Sequence, residues 1–86
     1  MIDASTGFAF GDHLRGLRIA AGWASQETFA HHVGMDRTYI SGLERGRRNP
    51  TLDVIVRLAW GLNVRPAELL ATLPDAPMVD VPEPPK

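Results

Sequence analysis

The sequence predicts an all-α fold of five short helices followed by a Pro-rich, acidic tail. Three observations predict it. Apolar residues recur at three- and four-residue spacing in successive short segments. Helix-starting residues precede these segments, and glycines close most of them. The 86 residues allow one domain with a small core, which favours short helices over a large sheet. Val79 and Val81 alternate, but the prolines around them argue against a strand.

Residues 1–9 lack a helical period and are expected to be loose. Asp12 is placed to cap or flank a first helix running to about Ala21, with Phe10, Leu14, Leu17 and Ala21 at helical spacing and Gly22 at its end. Ser25 is a natural N-cap for a second helix, with Gln26 and Glu27 in its first turn and Phe29, Ala30 and Val33 facing inward. Gly34 follows, a residue that turns sharply at positive φ. Asp36 caps a third helix, anchored by Ile40 and Leu43 and stopped by Gly46. Thr51 caps a fourth, with Leu52, Ile55, Leu58, Ala59 and Leu62 on one face. Arg65-Pro66 opens a fifth, proline at its favoured first position, with Leu69, Leu70 and Leu73 as apolar residues. Residues 74–86 hold five of the seven prolines together with acids, and are expected to be extended or disordered. The expected division is therefore a flexible 1–9, a domain over 10–73 and a tail over 74–86.

The 44% hydrophobic fraction is that of a globular protein. With no cysteine there is neither a disulfide framework nor a thiolate zinc site. No basic segment leads an apolar one at the N-terminus, and no apolar run reaches the length of a membrane span, so a soluble, cytoplasmic protein with no membrane partner is expected. The net charge of −1 is unevenly spread. Residues 11–73 carry eight arginines against six acids, whereas the tail carries Asp75, Asp80 and Glu83 against Lys86. Arg37, Arg45, Arg47 and Arg48 crowd the segment 37–48 against Glu44 alone. Clustered arginine, apt for bidentate phosphate and guanine contacts, is the signature of a nucleic-acid partner.

The segment Gln26–Arg45, QETFAHHVGMDRTYISGLER, satisfies every demand of a helix-turn-helix. Two steeply crossing helices need a small residue where they touch, and Ala30 is there. They need a sharp turn, and Gly34 is there. Ile40 and Leu43 anchor the second of them, while Phe29, Val33 and Met35 fill the apolar positions around it. Its N-terminal, outward residues are then the base readers. Arg37 is suited to guanine O6 and N7, Thr38 to a base, a phosphate or a thymine methyl, and Tyr39 to sugar or a thymine methyl. Ser41 lies on the same exposed side. Arg45, Arg47 and Arg48 suit a phosphate clamp, although Arg45 alone would also answer the dipole of the helix end. Gly42, inside the helix, is read either as close approach to DNA or as a tolerated weak spot.

The stretches FGDHLRGLR, SQETFA and DRTYISGLERGRRNPTL resemble the Cro/lambda-repressor-type (XRE-like) regulators, and the last is similar to restriction–modification controller proteins. The resemblance covers roughly residues 10–70. It implies a five-helix lambda-repressor-like domain whose third helix, about 36–45, lies in the major groove of double-stranded DNA. It also implies a homodimer on a palindromic operator in a bacterial or phage setting, associated with the nucleoid. It implies that Gln26 bonds a phosphate, as an anion-favouring helix start allows. It implies that Arg18 and Glu44 form an internal ion pair and that Arg48 touches bases. Two departures stand out: the GWASQ link is one residue longer than usual, and Trp60 occupies a place usually charged.

Trp60 follows Val56 by four residues and either caps the core or makes a dimer contact with the fifth helix. Val56, Trp60, Leu69, Leu70 and Leu73 are the dimer-interface candidates. His13, His31 and His32 are read as surface or weakly polar residues, with no metal set and no cofactor. The tail is either a spacer or an extended segment that docks on a protein. A catalytic reading is excluded, since no paired carboxylates, phosphate loop or Ser/His/Asp grouping is present. The competing reading is an interaction protein such as an antitoxin, using the same fold with Trp60, the fifth helix and the tail.

Overall fold

The computed structural model describes residues 4–75 and 83–85. It contains five helices: α1 (Ala4–Ala20), α2 (Gln26–Val33), α3 (Arg37–Glu44), α4 (Leu52–Leu62) and α5 (Pro66–Leu69). There is no strand among the described residues. Three of the expected caps form as the sequence predicts. Ser25 Oγ accepts from the amides of Glu27 and Thr28, Asp36 from that of Thr38, and Thr51 from that of Val54. Each satisfies an amide that the first helical turn would otherwise leave unpaired.

The first four helices end alike. A residue in the left-handed region follows each (Gly22, Gly34, Gly46, Asn63), and the next amide returns to a carbonyl five residues back. At α3, Gly46 has φ 74°, its N–H donates to Leu43 O over 3.1 Å, and the Arg47 N–H donates to Gly42 O over 2.8 Å. This closure satisfies the terminal carbonyls of α3 and doubles the chain back over it.

The N-terminus corrects the expectation. Residues 4–9 are not loose but helical, and Asp12 lies in the middle of α1 rather than at its start. Gly7 and Gly11, four apart and therefore on one helix face, let this extended helix pack closely. A Cβ on Gly7 would stand 2.6 Å from the carbonyl oxygen of Gly46, and one on Gly11 would overlap the carbonyls of Leu43 and Glu44. With no side chain at either position, α1 lies backbone to backbone against the end of α3. The Thr72 hydroxyl also donates to Ala9 O at 3.2 Å. Residues 1–3 of the expected loose segment lie outside the described residues.

The core is one cluster, with Leu14, Phe29, Ile40, Leu43, Leu58 and Leu69 fully enclosed. Burying a side chain of this size contributes about 1.5–3 kcal/mol. Two residues change places relative to expectation. Leu52, expected on the inner face of α4, is 79% exposed, because α4 turns Ile55, Leu58, Ala59 and Leu62 inward and leaves Leu52, Val56 and Trp60 on another row. Leu69, a dimer-interface candidate, is wholly buried and belongs to the core. Helix α5 is a single turn. It ends at Leu69, and the turns after it leave Leu70 exposed and Leu73 half-buried. His13 Nε2 lies 2.8 Å from Glu68 O and pins α1 to α5. No described helix is long and apolar enough to cross a membrane. Of the tail, Pro74, Asp75 and residues 83–85 carry no regular structure, while 76–82 and 86 lie outside the described residues.

Candidate nucleic-acid interface

Helix α3 has two chemically distinct sides. Its inner side carries Ile40 and Leu43, buried, and Glu44, also buried despite its charge. Its outer side begins with Arg37 and Thr38, both exposed, and continues through Tyr39 and Ser41, both half-buried. Arg45, Arg47 and Arg48 are exposed at its end. The four expected base readers and the three expected clamp arginines are thus on or next to one short helix.

The buried charge is fully matched. Arg18 Nε donates to Glu44 Oε2 at 2.7 Å and Nη2 to Oε1 at 3.2 Å, the forked geometry that guanidinium offers and ammonium does not. The remaining nitrogen, Nη1, donates to the carbonyls of Trp23 and Ala24 at 2.6 and 2.8 Å. Arg18 therefore ties together α1, the link before α2, and α3. Gln26 Nε2 donates to Glu44 Oε1 at 2.9 Å. This last bond is not legible from the residues: Gln26, expected as a free phosphate ligand, spends part of its amide inside the protein. Gln26 itself remains half-exposed, at the N-terminus of α2.

The start of α3 is held by local bonds. The Thr38 hydroxyl donates to Asp36 Oδ1 at 2.6 Å, and the Thr38 N–H donates to the same oxygen at 3.0 Å. These bonds, the hydroxyl's first, together with the neighbouring Arg37 charge hold the Asp36 carboxyl below the ordinary carboxylate range. The Thr38 hydroxyl proton is thereby committed to the cap. Its methyl and oxygen lone pairs remain for a ligand.

At the far end of α3, the guanidinium of Arg48 sits over the Tyr39 ring, 5.7 Å from its centroid, within reach of a cation–π attraction. Arg45 and Arg47 line a shallow groove with Arg15 of α1, Phe8, Asp12 and Glu44. Arg15 is a basic residue at this surface that the linear reading passed over, because α1 reaches α3 only in the folded chain.

Helix α4 presents Leu52, Val56 (56% exposed) and Trp60 (67% exposed) in one row. Trp60 is therefore not core. Its ring stacks on His32 at 5.2 Å, and His32 stacks on Trp23 at 4.4 Å. His32 Nε2 lies 3.2 Å from Gly61 O. The sequence places His32 on a surface, which is correct, but its sandwich between two indoles joins residues from three separate segments. No three metal-ligating side chains converge among the described residues.

A helix-turn-helix domain family model matches residues 9–73. The control protein C.BamHI of Bacillus amyloliquefaciens is 43% identical over 61 residues, covering 71% of this chain and 75% of that protein. The control protein C.MunI of a Mycoplasma species is 38% identical over 64 residues, covering 74% and 86%. The crystal structure of the restriction–modification controller protein C.AhdI of Aeromonas hydrophila superposes with a TM-score of 0.70 at 49% identity, covering 73% of this chain and 94% of that one. The chain belongs to the helix-turn-helix domain family, as a DNA-binding regulator of the restriction–modification controller type and not an enzyme.

Proposed function

We propose that two copies of this chain bind a palindromic operator and regulate the promoter beside it, each laying α3 in the major groove of one half-site. Two-fold symmetry then spaces the half-sites by about 34 Å, one turn of DNA. The carrying observation is the division of α3 into an inner side locked by Arg18 and an outer side of Arg37, Thr38, Tyr39 and Ser41. Arg37 reads guanine, with Thr38, Tyr39 and Ser41 completing the base contacts. Arg45, Arg47 and Arg48 hold phosphates, and Gln26 presents the N-terminus of α2 to another. Such a regulator works in the cytoplasm, where bacterial or phage DNA lies.

The exposed row Leu52, Val56 and Trp60 favours the dimer, whereas Leu70 and Leu73 line a separate groove with Phe10, Pro50 and Ile55. Asp53 and Arg57 flank it, so a two-fold axis passing between them would set the acid of one copy against the base of the other. A second reading gives this row to a different protein, as an antitoxin would use it. Sedimentation distinguishes the two: a dimer at micromolar concentration supports the first, and a monomer that still binds DNA supports the second.

Selection of bound sequences from a random duplex pool, repeated with Arg37→Ala, tests the whole proposal. An enriched palindrome whose key guanines vanish with the substitution supports it. A folded protein that enriches nothing at low salt overturns it.

A further inference from the structure

Gly42 stands inside α3, where glycine is about 1 kcal/mol worse than alanine. The structure shows what occupies the space a side chain would take. A Cβ on Gly42 would lie 2.8 Å from Arg48 Cγ, 3.4 Å from Nε and 3.7 Å from Cδ. The stem of Arg48 is therefore laid across the backbone of α3 at Gly42, and its guanidinium ends over Tyr39, one turn earlier. The return path is built by the helix end itself. Gly46 turns the chain at φ 74°, and the Arg47 N–H closes on the carbonyl of Gly42. The same glycine thus receives both the backbone and the side chain of the returning segment.

We infer that Gly42 is a positioning residue for DNA recognition: it is the saddle that seats Arg48 along the outer side of α3 before DNA arrives. This rests on the proposed DNA role of Arg48 and adds the device that aims it. An arginine free to sample solvent loses rotamer freedom when it binds. One already held by a glycine notch and an aromatic face loses less, and its charge starts over Tyr39. The alternative, that Gly42 is small because the DNA backbone itself approaches α3 there, makes a different prediction. In that case the cost of a methyl group would not depend on Arg48.

The test is a double-substitution cycle with wild type, Gly42→Ala, Arg48→Ala and the double variant. Each is titrated with the duplex enriched by selection and with a random-sequence duplex across a salt series. Proton NMR of the free proteins reads the Tyr39 ring-current shift on the Arg48 side chain. The expected result has three parts. Gly42→Ala abolishes the ring-current shift while thermal unfolding shows a folded domain. It lowers affinity for the selected duplex by less than Arg48→Ala does and leaves the salt slope unchanged, because the charge remains, whereas Arg48→Ala lowers the slope by about one if the contact is to phosphate. In the Arg48→Ala background, adding Gly42→Ala costs no further affinity within about twofold. The double variant is free of the clash and keeps the comparison open if Gly42→Ala alone unfolds. A ring-current shift unchanged in Gly42→Ala overturns the saddle. A double variant much weaker than Arg48→Ala overturns it in favour of direct approach by DNA. If Arg48→Ala leaves both affinity and salt slope intact, the DNA role of Arg48 fails and the positioning role falls with it.

Discussion

Arg18 and Glu44, 26 residues apart in sequence, meet across the α1–α3 interface with Nε and Oε2 2.7 Å apart. Both side chains are almost wholly enclosed, and the remaining guanidinium nitrogen, Nη1, is directed at the carbonyls of Trp23 and Ala24. The geometry makes the pair a clamp on the inner side of α3, so the orientation of the outer side depends on it.

Removing one partner leaves the other charge buried and unpaired. Glu44→Ala should therefore cost about 3–5 kcal/mol in urea unfolding. Arg18→Lys should also destabilise, because a single ammonium cannot reach both carboxylate oxygens and the carbonyls of Trp23 and Ala24. A loss below about 1 kcal/mol for Glu44→Ala would place the pair among weak surface bridges and defeat this account.

The glycines of α1 should answer oppositely to the same substitution. Gly11→Ala forces a methyl into the carbonyls of Leu43 and Glu44, and should destabilise by about 3 kcal/mol, the upper end of overpacking costs. Gly16 has open space around it, and Gly16→Ala should stabilise by about 1 kcal/mol through helix propensity. Equal effects at the two positions in thermal melts would contradict the close α1–α3 approach.

Acid should weaken the start of α3. The Asp36 carboxyl is depressed by its bonds from Thr38, so its contribution is complete above the ordinary carboxylate value of about 3.9. It is lost as pH falls through the lower native value. Asp36→Asn keeps a cap acceptor but has no charge to titrate. Its melting temperature should fall less steeply with acidification below pH about 4 than that of the wild type.

The row on α4 should govern assembly without governing the fold. Val56→Asp adds charge at an exposed site, so the helical content should not change. If two copies join there, sedimentation should give a monomer, and affinity for the full palindrome should fall toward that for a single half-site. An unchanged dimer would move the interface elsewhere.

Base reading and phosphate binding should separate within the arginines. Arg37→Ala should cost about 1–3 kcal/mol of discrimination at the guanine it reads. Arg47→Ala should weaken selected and random duplexes alike and lower the salt slope by about one. Competition titrations at two ionic strengths distinguish these outcomes.

What could be read from the residues in order is what local bonds decide. Ser25, Asp36 and Thr51 cap amides two or three residues ahead, and Gly34 and Gly46 terminate helices within the same few residues. These interactions close inside one turn of chain, so α2, α3, the start of α4 and the basic residues on and after α3 were legible without a fold. Other features required segments far apart to be brought together. The burial of Leu69, the exposure of Leu52 and the use of Gly7 and Gly11 as a contact surface depend on which way a helix rolls against its neighbours. So do the bond from Gln26 to Glu44, the stacking of His32 between Trp23 and Trp60, and the seat of Arg48 on Gly42. A periodic pattern specifies that a helix has an apolar side. The direction and closeness with which that side meets another backbone come from steric fit in three dimensions.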